Sequence, residues 1–422
     1  MSSSSPCDVI VVGAGILGIS CALTLQQRGY QVLLIDKKPP VSETSSGLAG
    51  VICNSGVLPL ASPGLIPSIP RLFLNRDSKF RIRHSQLHML SPWLYRFLKY
   101  CNPIKHKACS NALGYLLNQA LEPHLEWMKM TQSQSLLNDT GWLRLYNKGA
   151  NSPAQKRELE AYDAQGVAYQ LLHSAEIKQL EPGLKRHYEN AIWLTNTPSV
   201  RNPRKLSLNY FEHFIQSGGR FEQMEARALK KQGDDWIIKM DQSSLNAKKV
   251  VICMGAWSSN ILATLNLKNP IVMERGYHYM IQPENEESLG RSIIDTDRGL
   301  VMTPMQDGIR VSSATELVAR ETKPLPDQLR SLIPDMLDIL EFKESESSIR
   351  EKTPWMGRRP STPDSLPIIG ELDSHRGLWF AFGHGHLGFT LGPITARIIA
   401  QSIQQGSLVQ EYQAFSPNRF YD

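Results

Sequence analysis

Gly13, Gly15 and Gly18 stand in G-x-G-x-x-G spacing within GAGILG, and Asp36 follows at the end of a second apolar run. Each residue type has a physical task at its place. Gly13 permits a tight turn, Gly15 lets a pyrophosphate approach bare backbone, and Gly18 lets a helix lie close against a strand. The N–H groups that open this helix, at Ile16 and Leu17, and the partial positive charge there suit phosphate oxygens. Asp36 can accept hydrogen bonds from ribose hydroxyls, and a carboxylate there disfavours a 2′-phosphate. The chemistry these residues point to is the binding of an adenine dinucleotide.

The surrounding elements must put these residues in place. Asp8 to Val12 reads DVIVV, a short apolar strand. A helical pattern runs to Arg28 and is closed by Gly29, and VLLI then ends at Asp36. Strand, Gly-rich turn, helix, strand and terminal acid, in that order, make the fingerprint specific. A membrane segment is the competing reading, since Val9 to Gln27 carry no charge and come near spanning length. Three glycines interrupt that run, its apolar period changes at Gly13, and no basic segment precedes it, which disfavours both anchor and signal peptide.

The 422 residues suffice for two or three structural units, and a charged fraction of 20% with 41% hydrophobic residues fits a globular protein. The net charge of +6 is spread along the chain, with local clusters at Lys37-Lys38, Arg71 to Arg83 and Arg358-Arg359. No basic stripe alternates with aromatics, so nucleic acid is not an expected partner. The six cysteines include no C-x-x-C and have no zinc-ligand spacing, so we expect free thiols in a reducing compartment and no metal. No Ser/His/Asp order, HExxH motif or pair of carboxylates with a reason to meet stands out. Ser2 to Ser5 read as a disordered tail.

After the second strand comes SETSSGLAGVICNSGV, a loop that either turns the chain or donates hydroxyls and N–H groups to the cofactor. Residues 58–75 are apolar, Pro-rich and followed by Arg76, Lys79, Arg81 and Arg83. We read them as a buried irregular connection, with a surface lid or membrane-docking loop as the alternative. Residues 85–130 read as helical, with Leu90, Trp93, Leu94, Phe97 and Leu98 forming a stripe read as core packing. RFEQMEARAL, DWIIKM and KKVVICMG read as three strands, the last ending in Gly255-Ala256-Trp257. Residues 270–350 hold alternating apolar segments and a charged helix near 324–343, a second sheet-containing region. LWFAFG then reads as a strand, and GHGHLGFTLGPITARIIAQSI as a Gly-rich turn into a final helix. The N-terminal motif thus has a C-terminal counterpart. The expected fold is α/β, with a discontinuous cofactor domain from 1–85, 190–265 and 355–422, and a substrate domain from 86–189 and 266–354.

Taken together, these residues resemble the FAD-dependent amine and D-amino acid oxidoreductases of the glutathione-reductase-like type. ETSSGLAG at 43–50 is similar to that family's Thr-Ser…Ala-Gly loop, GRRPSTPDSLPIIG at 357–370 to its G-x-R-P-x-T-P-D-x-x-P-x-x-G segment, and FGHGHLGFTLGP at 382–393 to its closing flavin loop. The bacterial D-amino acid dehydrogenase type also shares PLASPGLIP and the RGY at Gly276-Tyr277. The resemblance implies an FAD-binding Rossmann domain beside a mixed-sheet substrate domain. It implies that Gly13, Gly15, Gly18, Thr44, Ser45 and Ser46 hold the pyrophosphate and that Asp36, with Lys37 beside it, holds the adenosine ribose. Ala49, Gly50 and Val51 would lie along the isoalloxazine, Ala226 at the adenine, and Gly255 and Trp257 beside the cofactor. Gly385, His386, Leu387, Gly388, Phe389 and Thr390 would cover the pyrimidine side of the ring. Leu48 stands where an Asn often precedes Ala-Gly in this family, so no side-chain contact is expected from that position.

The implied activity is oxidative deamination of D-amino acids to 2-oxo acids and ammonia, by hydride transfer from Cα to flavin N5, with electrons passed to a quinone or respiratory carrier. Such chemistry needs little acid–base machinery; the protein must hold Cα over N5 and stabilise the charge gained by the ring. Arg359, placed by the Arg-Pro segment, is the expected anchor of the substrate carboxylate, because its fork binds a carboxylate bidentately; the alternative is a structural ion pair. Tyr277 is a second candidate for the carboxylate, and His386 for contact with ring or substrate. Competing functions are a glycine, sarcosine or proline-type amine oxidase of the same fold, an electron-relay flavoprotein subunit, and an NAD-dependent Rossmann dehydrogenase, which would leave GHGHLGFT unexplained. The expected location is cytoplasmic, with peripheral contact to the inner membrane through 58–83.

Overall fold

A computed structural model describes residues 7–69, 74, 80–147, 152–285, 288–319 and 321–421. The expected disordered tail and the cluster at Arg71, Arg76 and Lys79 lie outside the described residues. One layer is a six-stranded sheet in the order 368–371, 378–382, 249–252, 9–12, 32–36, 220–223. Its strands are parallel except the outer Ile368–Glu371. Val9–Val12 sits at the centre, buried at every residue, as a continuous β-branched run does when both faces are covered. The helix Ile16–Gln27 is covered by Gly388–Gln405 on one side and Pro203–Gln216 on another. Such cover explains its apolar, uncharged sequence: it is a buried helix between layers. Among the described residues no helix is long and apolar enough to cross a membrane.

The second layer is a mixed nine-stranded sheet in the order 355–361, 272–281, 308–318, 300–305, 292–295, 142–146, 190–194, 170–173, with Phe80–Ile82 alongside 308–318. One face packs Ile293, Met302, Val311 and Tyr279 into a second core with the short helices Asp327–Arg330, Ile333–Ile339 and Glu346–Glu351. The opposite face presents the row Ile294, Val301, Ser312 and His278, fixed by the strand register. Strands Phe80–Ile82, Asn190–Leu194 and Trp355–Ser361 lie in this second sheet, within sequence ranges expected of the cofactor domain.

Two other readings are revised. The segment 220–229 is not one strand but two, Arg220–Gln223 and Ala228–Gln232, and the second opens a separate antiparallel three-stranded sheet. The buried-connection reading of 58–75 holds for Pro59 and Ala61, which are buried, and fails for Leu60, Ile66 and Leu74, which are 47%, 52% and 60% exposed. In the helix Leu87–Tyr100, Leu90 is buried whereas Tyr95 and Leu98 are exposed, so the expected core stripe is only partly a core stripe.

Candidate active site

A cavity of 680 Å³ runs between the two sheets, from the glycine turn to the cavity face of the second sheet. At the first end, Gly13 has φ +107, and a Cβ there would stand 2.6 Å from the Cys253 carbonyl oxygen. A Cβ at Gly18 would lie 1.6 Å from the Gly13 carbonyl oxygen, so this glycine is the close helix–strand contact. Gly15 presents backbone to the cavity opposite Ser45, whose Oγ accepts the Ile16 N–H at 3.1 Å. Asp36 lines the cavity and also fastens the turn: Oδ2 accepts the Ala14 N–H at 2.6 Å and Oδ1 the Lys38 N–H at 2.9 Å.

Ile16, Leu17, Lys37, Thr44, Ser45, Ala49, Val51, Ala226, Gly255 and Trp257 also line this cavity, as do all residues of 385–390. Thr44 spends its hydroxyl elsewhere. It donates to the Arg358 carbonyl at 2.9 Å and accepts the Arg358 N–H at 3.2 Å, tying the loop to the second sheet. Ser46 is turned away, its hydroxyl donating to the Glu43 carbonyl. Gly50, at φ +80, serves close approach, since a Cβ there would meet the Val200 carbonyl oxygen at 2.6 Å. At the closing loop, Thr390 Oγ1 accepts the Cys53 N–H at 3.0 Å and donates to the Val51 carbonyl at 3.4 Å, which joins the two loops that flank the cavity.

At the other end the strand alternation decides which side chains meet. Glu274, Gly276 and His278 lie on the cavity face, paired with Arg359, Gly357 and Trp355. Arg359 therefore lines the cavity, and Nη1 donates to Glu274 Oε1 at 3.1 Å. Glu274 is buried, and its other oxygen accepts from Ser361 Oγ at 2.8 Å. Among the described residues Glu274 is the only hydrogen-bonded partner of the Arg359 side chain, so the fork keeps donors to offer. Arg358, one residue away, also borders the cavity but commits its guanidinium to Glu321, to Glu43 at 3.7 Å and over the Trp257 ring at 5.6 Å.

The same alternation removes Tyr277 from the set. Its ring is buried in the second core, its hydroxyl donates to Glu316 at 2.8 Å, and it accepts the Leu325 N–H at 3.0 Å. His386 stands at the cavity wall. Burial lowers its pKa, the Glu274 carboxylate pulls the other way, and the Arg359 guanidinium lowers it further. His384 is buried with Nε2 2.9 Å from Thr395 Oγ1, and burial pushes it down to about 3. His278 stacks on Trp355 at 4.7 Å and is likewise pushed down to about 3, by burial and then by Arg310.

Sequence reasoning did not single out Glu274, Trp142, Ile294, Val301, Arg310 or Trp355. Arg310 donates to the Leu48 carbonyl and so braces the loop at 47–50 from the second sheet. These residues come from the middle of the chain, where no motif marks them; period-two alternation counted outward from Gly276 would have picked out Glu274 and rejected Tyr277. Among the described residues no three His, Cys, Asp or Glu side chains stand close enough to hold a metal ion.

Residues 8–402 match the profile of the DAO family, described as FAD dependent oxidoreductase. The chain is 29% identical over 425 residues to a D-amino-acid oxidase of Bradyrhizobium diazoefficiens, covering 98% of each. It is 26% identical over 406 residues to a D-amino acid dehydrogenase of Neisseria gonorrhoeae, covering 94% of this chain and 95% of the relative. Among solved structures, glycine oxidase from Geobacillus kaustophilus superposes with a TM-score of 0.74 at 19% identity, over 98% of both chains. L-proline dehydrogenase from P. horikoshii superposes with a TM-score of 0.73 at 18% identity, over 99% of this chain and 98% of that one. At these identities the structural likeness establishes the fold, which is the expected α/β arrangement of a glutathione-reductase-like Rossmann layer against a mixed sheet.

Proposed function

The chain belongs to the DAO family of FAD-dependent oxidoreductases, and on that premise we propose that it oxidises D-amino acids to 2-oxo acids and ammonia and passes the electrons to a quinone or respiratory carrier. FAD, when bound, supplies the two-electron acceptor for the Cα hydride. The glycine turn fits it: Gly15 offers bare backbone, and the space beside Gly13 and Gly18 is closed to any Cβ. In this reading Gly13, Gly15 and Ser45 hold the pyrophosphate, Gly18 keeps the helix close behind them, and Asp36 holds the ribose. Ala49 and Gly50 lie along the isoalloxazine, and the 385–390 loop lies at its pyrimidine side. The closing helix has no acidic residue in its first turn, so its roughly half-unit positive end is left free to favour a negative charge at that side.

The observation that carries the substrate reading is Arg359 on the cavity face with donors to spare, oriented by Glu274. Arg359 takes the substrate carboxylate, and Glu274 fixes the guanidinium plane and offsets its charge. His386, its pKa lowered by burial, contacts the substrate without adding a positive charge beside the reacting amine. Trp142, Ile294 and Val301 form an apolar wall for the side chain. The peripheral membrane contact through 58–83 is supported by charge segregation: these residues carry five Lys/Arg against the single acid Asp77, and Leu60, Ile66 and Leu74 in the same stretch are exposed. Co-sedimentation with anionic but not neutral vesicles tests it; equal binding to neither counts against it.

Anaerobic titration of the purified protein tests the activity. Bleaching of the flavin band by D-amino acids, and faster reoxidation by a quinone analogue than by O2, is the expected result. Bleaching by glycine, sarcosine or proline alone replaces the substrate reading with the amine-oxidase one. A colourless protein that takes up no FAD sinks both.

A further inference from the structure

Gly388–Gln405 carries a proline one turn in from its start. Pro393 has no N–H, so the Phe389 carbonyl, four residues earlier, lacks its helical donor. Phe389 is buried at the cavity wall, where a carbonyl left unpaired is costly. The missing donor comes from another helix. His124, in Leu121–Met130, places Nε2 2.9 Å from the Phe389 carbonyl oxygen. A carbonyl can only accept, so Nε2 carries the hydrogen. The ring is fully buried and lies 5.2 Å from that of Phe389. Burial pushes its pKa down to about 4, which leaves a neutral imidazole with one N–H. Its other nitrogen, Nδ1, then has a lone pair, and Tyr210 Oη lies 3.4 Å away on Pro203–Gln216. The next residue along, Thr390, is tied to Cys53 and Val51.

We infer that His124 is a positioning residue for the cofactor end of the closing helix: its N–H replaces the one Pro393 lacks and fixes the aim of the first-turn N–H groups at the flavin. With that carbonyl paired, the first turn keeps its helical course and the direction of its N–H groups. The inference rests on the reading above that 385–390 lies at the pyrimidine side of the ring.

The test reads the flavin, not turnover. Sulfite adds reversibly to flavins and leaves negative charge on the ring, so its affinity, followed by the loss of flavin absorbance, reports how well the first turn stabilises that charge. His124→Phe keeps the ring and removes the donor; sulfite affinity should fall about tenfold, the effect of roughly one net hydrogen bond, with a matching negative shift of the midpoint potential. His124→Gln keeps an N–H donor and should stay within about twofold of the parent protein. Pro393→Ala gives Phe389 its helical donor back, so the double variant His124→Phe/Pro393→Ala should recover most of the loss. If His124→Phe does not fold, the double variant decides: folding with near-parental sulfite affinity supports the role, and failure to fold overturns it. Unchanged affinity in His124→Phe, or a His124→Gln loss as deep as the Phe variant's, also overturns it. Thr390→Val separates the two claims. If it weakens sulfite binding while His124→Phe does not, only the His124 role fails; if neither moves it, the placement of the loop at the ring fails as well.

Discussion

Gly276 is the place where a single methyl group tests the substrate site. The Arg359 guanidinium lies flat over it, and a Cβ at 276 would stand 2.4 Å from Nη2, 2.7 Å from Cζ and 2.8 Å from Nη1. Gly276 is not among the positive-φ glycines, so alanine is conformationally allowed and the conflict is purely with the end of a flexible side chain. The strand tolerates or gains from the change, since glycine inside a strand costs about 0.5–1 kcal/mol relative to alanine. Gly276→Ala should therefore fold with an unchanged or slightly higher Tm and bind FAD normally. Ordinary contact distance requires Arg359 to move by about 1 Å, which breaks its alignment with Glu274 and with the substrate carboxylate. A lost charge-assisted hydrogen bond is worth about 1.5–3 kcal/mol, or roughly 10–150-fold in affinity. Steady-state kinetics should show that loss mainly in KM. In a double-mutant cycle, Arg359→Ala should cost much less on the Gly276→Ala background than on the parent, because the two changes disable one contact. A folded, flavin-loaded Gly276→Ala protein with KM within twofold of the parent would refute the assignment of Arg359 as the carboxylate anchor.

Arg359→Ala should retain FAD and lose substrate affinity by about a hundredfold or more, since it removes the anchor and strands the buried Glu274; Arg359→Lys should not restore it, because an ammonium cannot span two carboxylates at once, and a full rescue by Lys would count against bidentate binding. Asp36→Ala removes both the ribose acceptor and the acceptor of the Ala14 N–H, so the FAD Kd should rise by about 10–100-fold, and an unchanged Kd by fluorescence titration would be incompatible with that double role. Burial holds His278 and His384 at about 3 and His124 at about 4, against an ordinary value of 6.5. Below pH 6.5 the unfolded chain takes protons that the folded chain refuses, so this stability is complete above pH 6.5 and drains as pH falls towards 4. The loss should approach about 2 kcal/mol per histidine at pH 5, and denaturant midpoints that are flat between pH 7 and pH 5 would show that these rings are not buried neutral.

The glycine turn, the first helix and Asp36 were legible from the sequence because their logic is local: strand, turn and helix are contiguous, and a glycine's freedom or a carboxylate's reach depends on its immediate neighbours. The same holds for the closing loop, whose residues at 385–390 all reach the cavity. Thr44 and Ser46 show the limit of such reading. Both sit in the matching motif, yet one hydroxyl ties the loop to Arg358 and the other bonds to the Glu43 carbonyl.

What the sequence determined by itself was the cofactor half of the protein and the presence of an arginine at 359 in the right kind of segment. What only the tertiary structure decided was which side chains share a face of the second sheet. Glu274 meets Arg359 across strands whose pairing joins residues 85 positions apart, and the one-residue step from Gly276 to Tyr277 turns that hydroxyl to Glu316. Long-range strand pairing fixes a register that no local pattern in the chain records, and with a period of two a single residue separates the cavity face from the buried core.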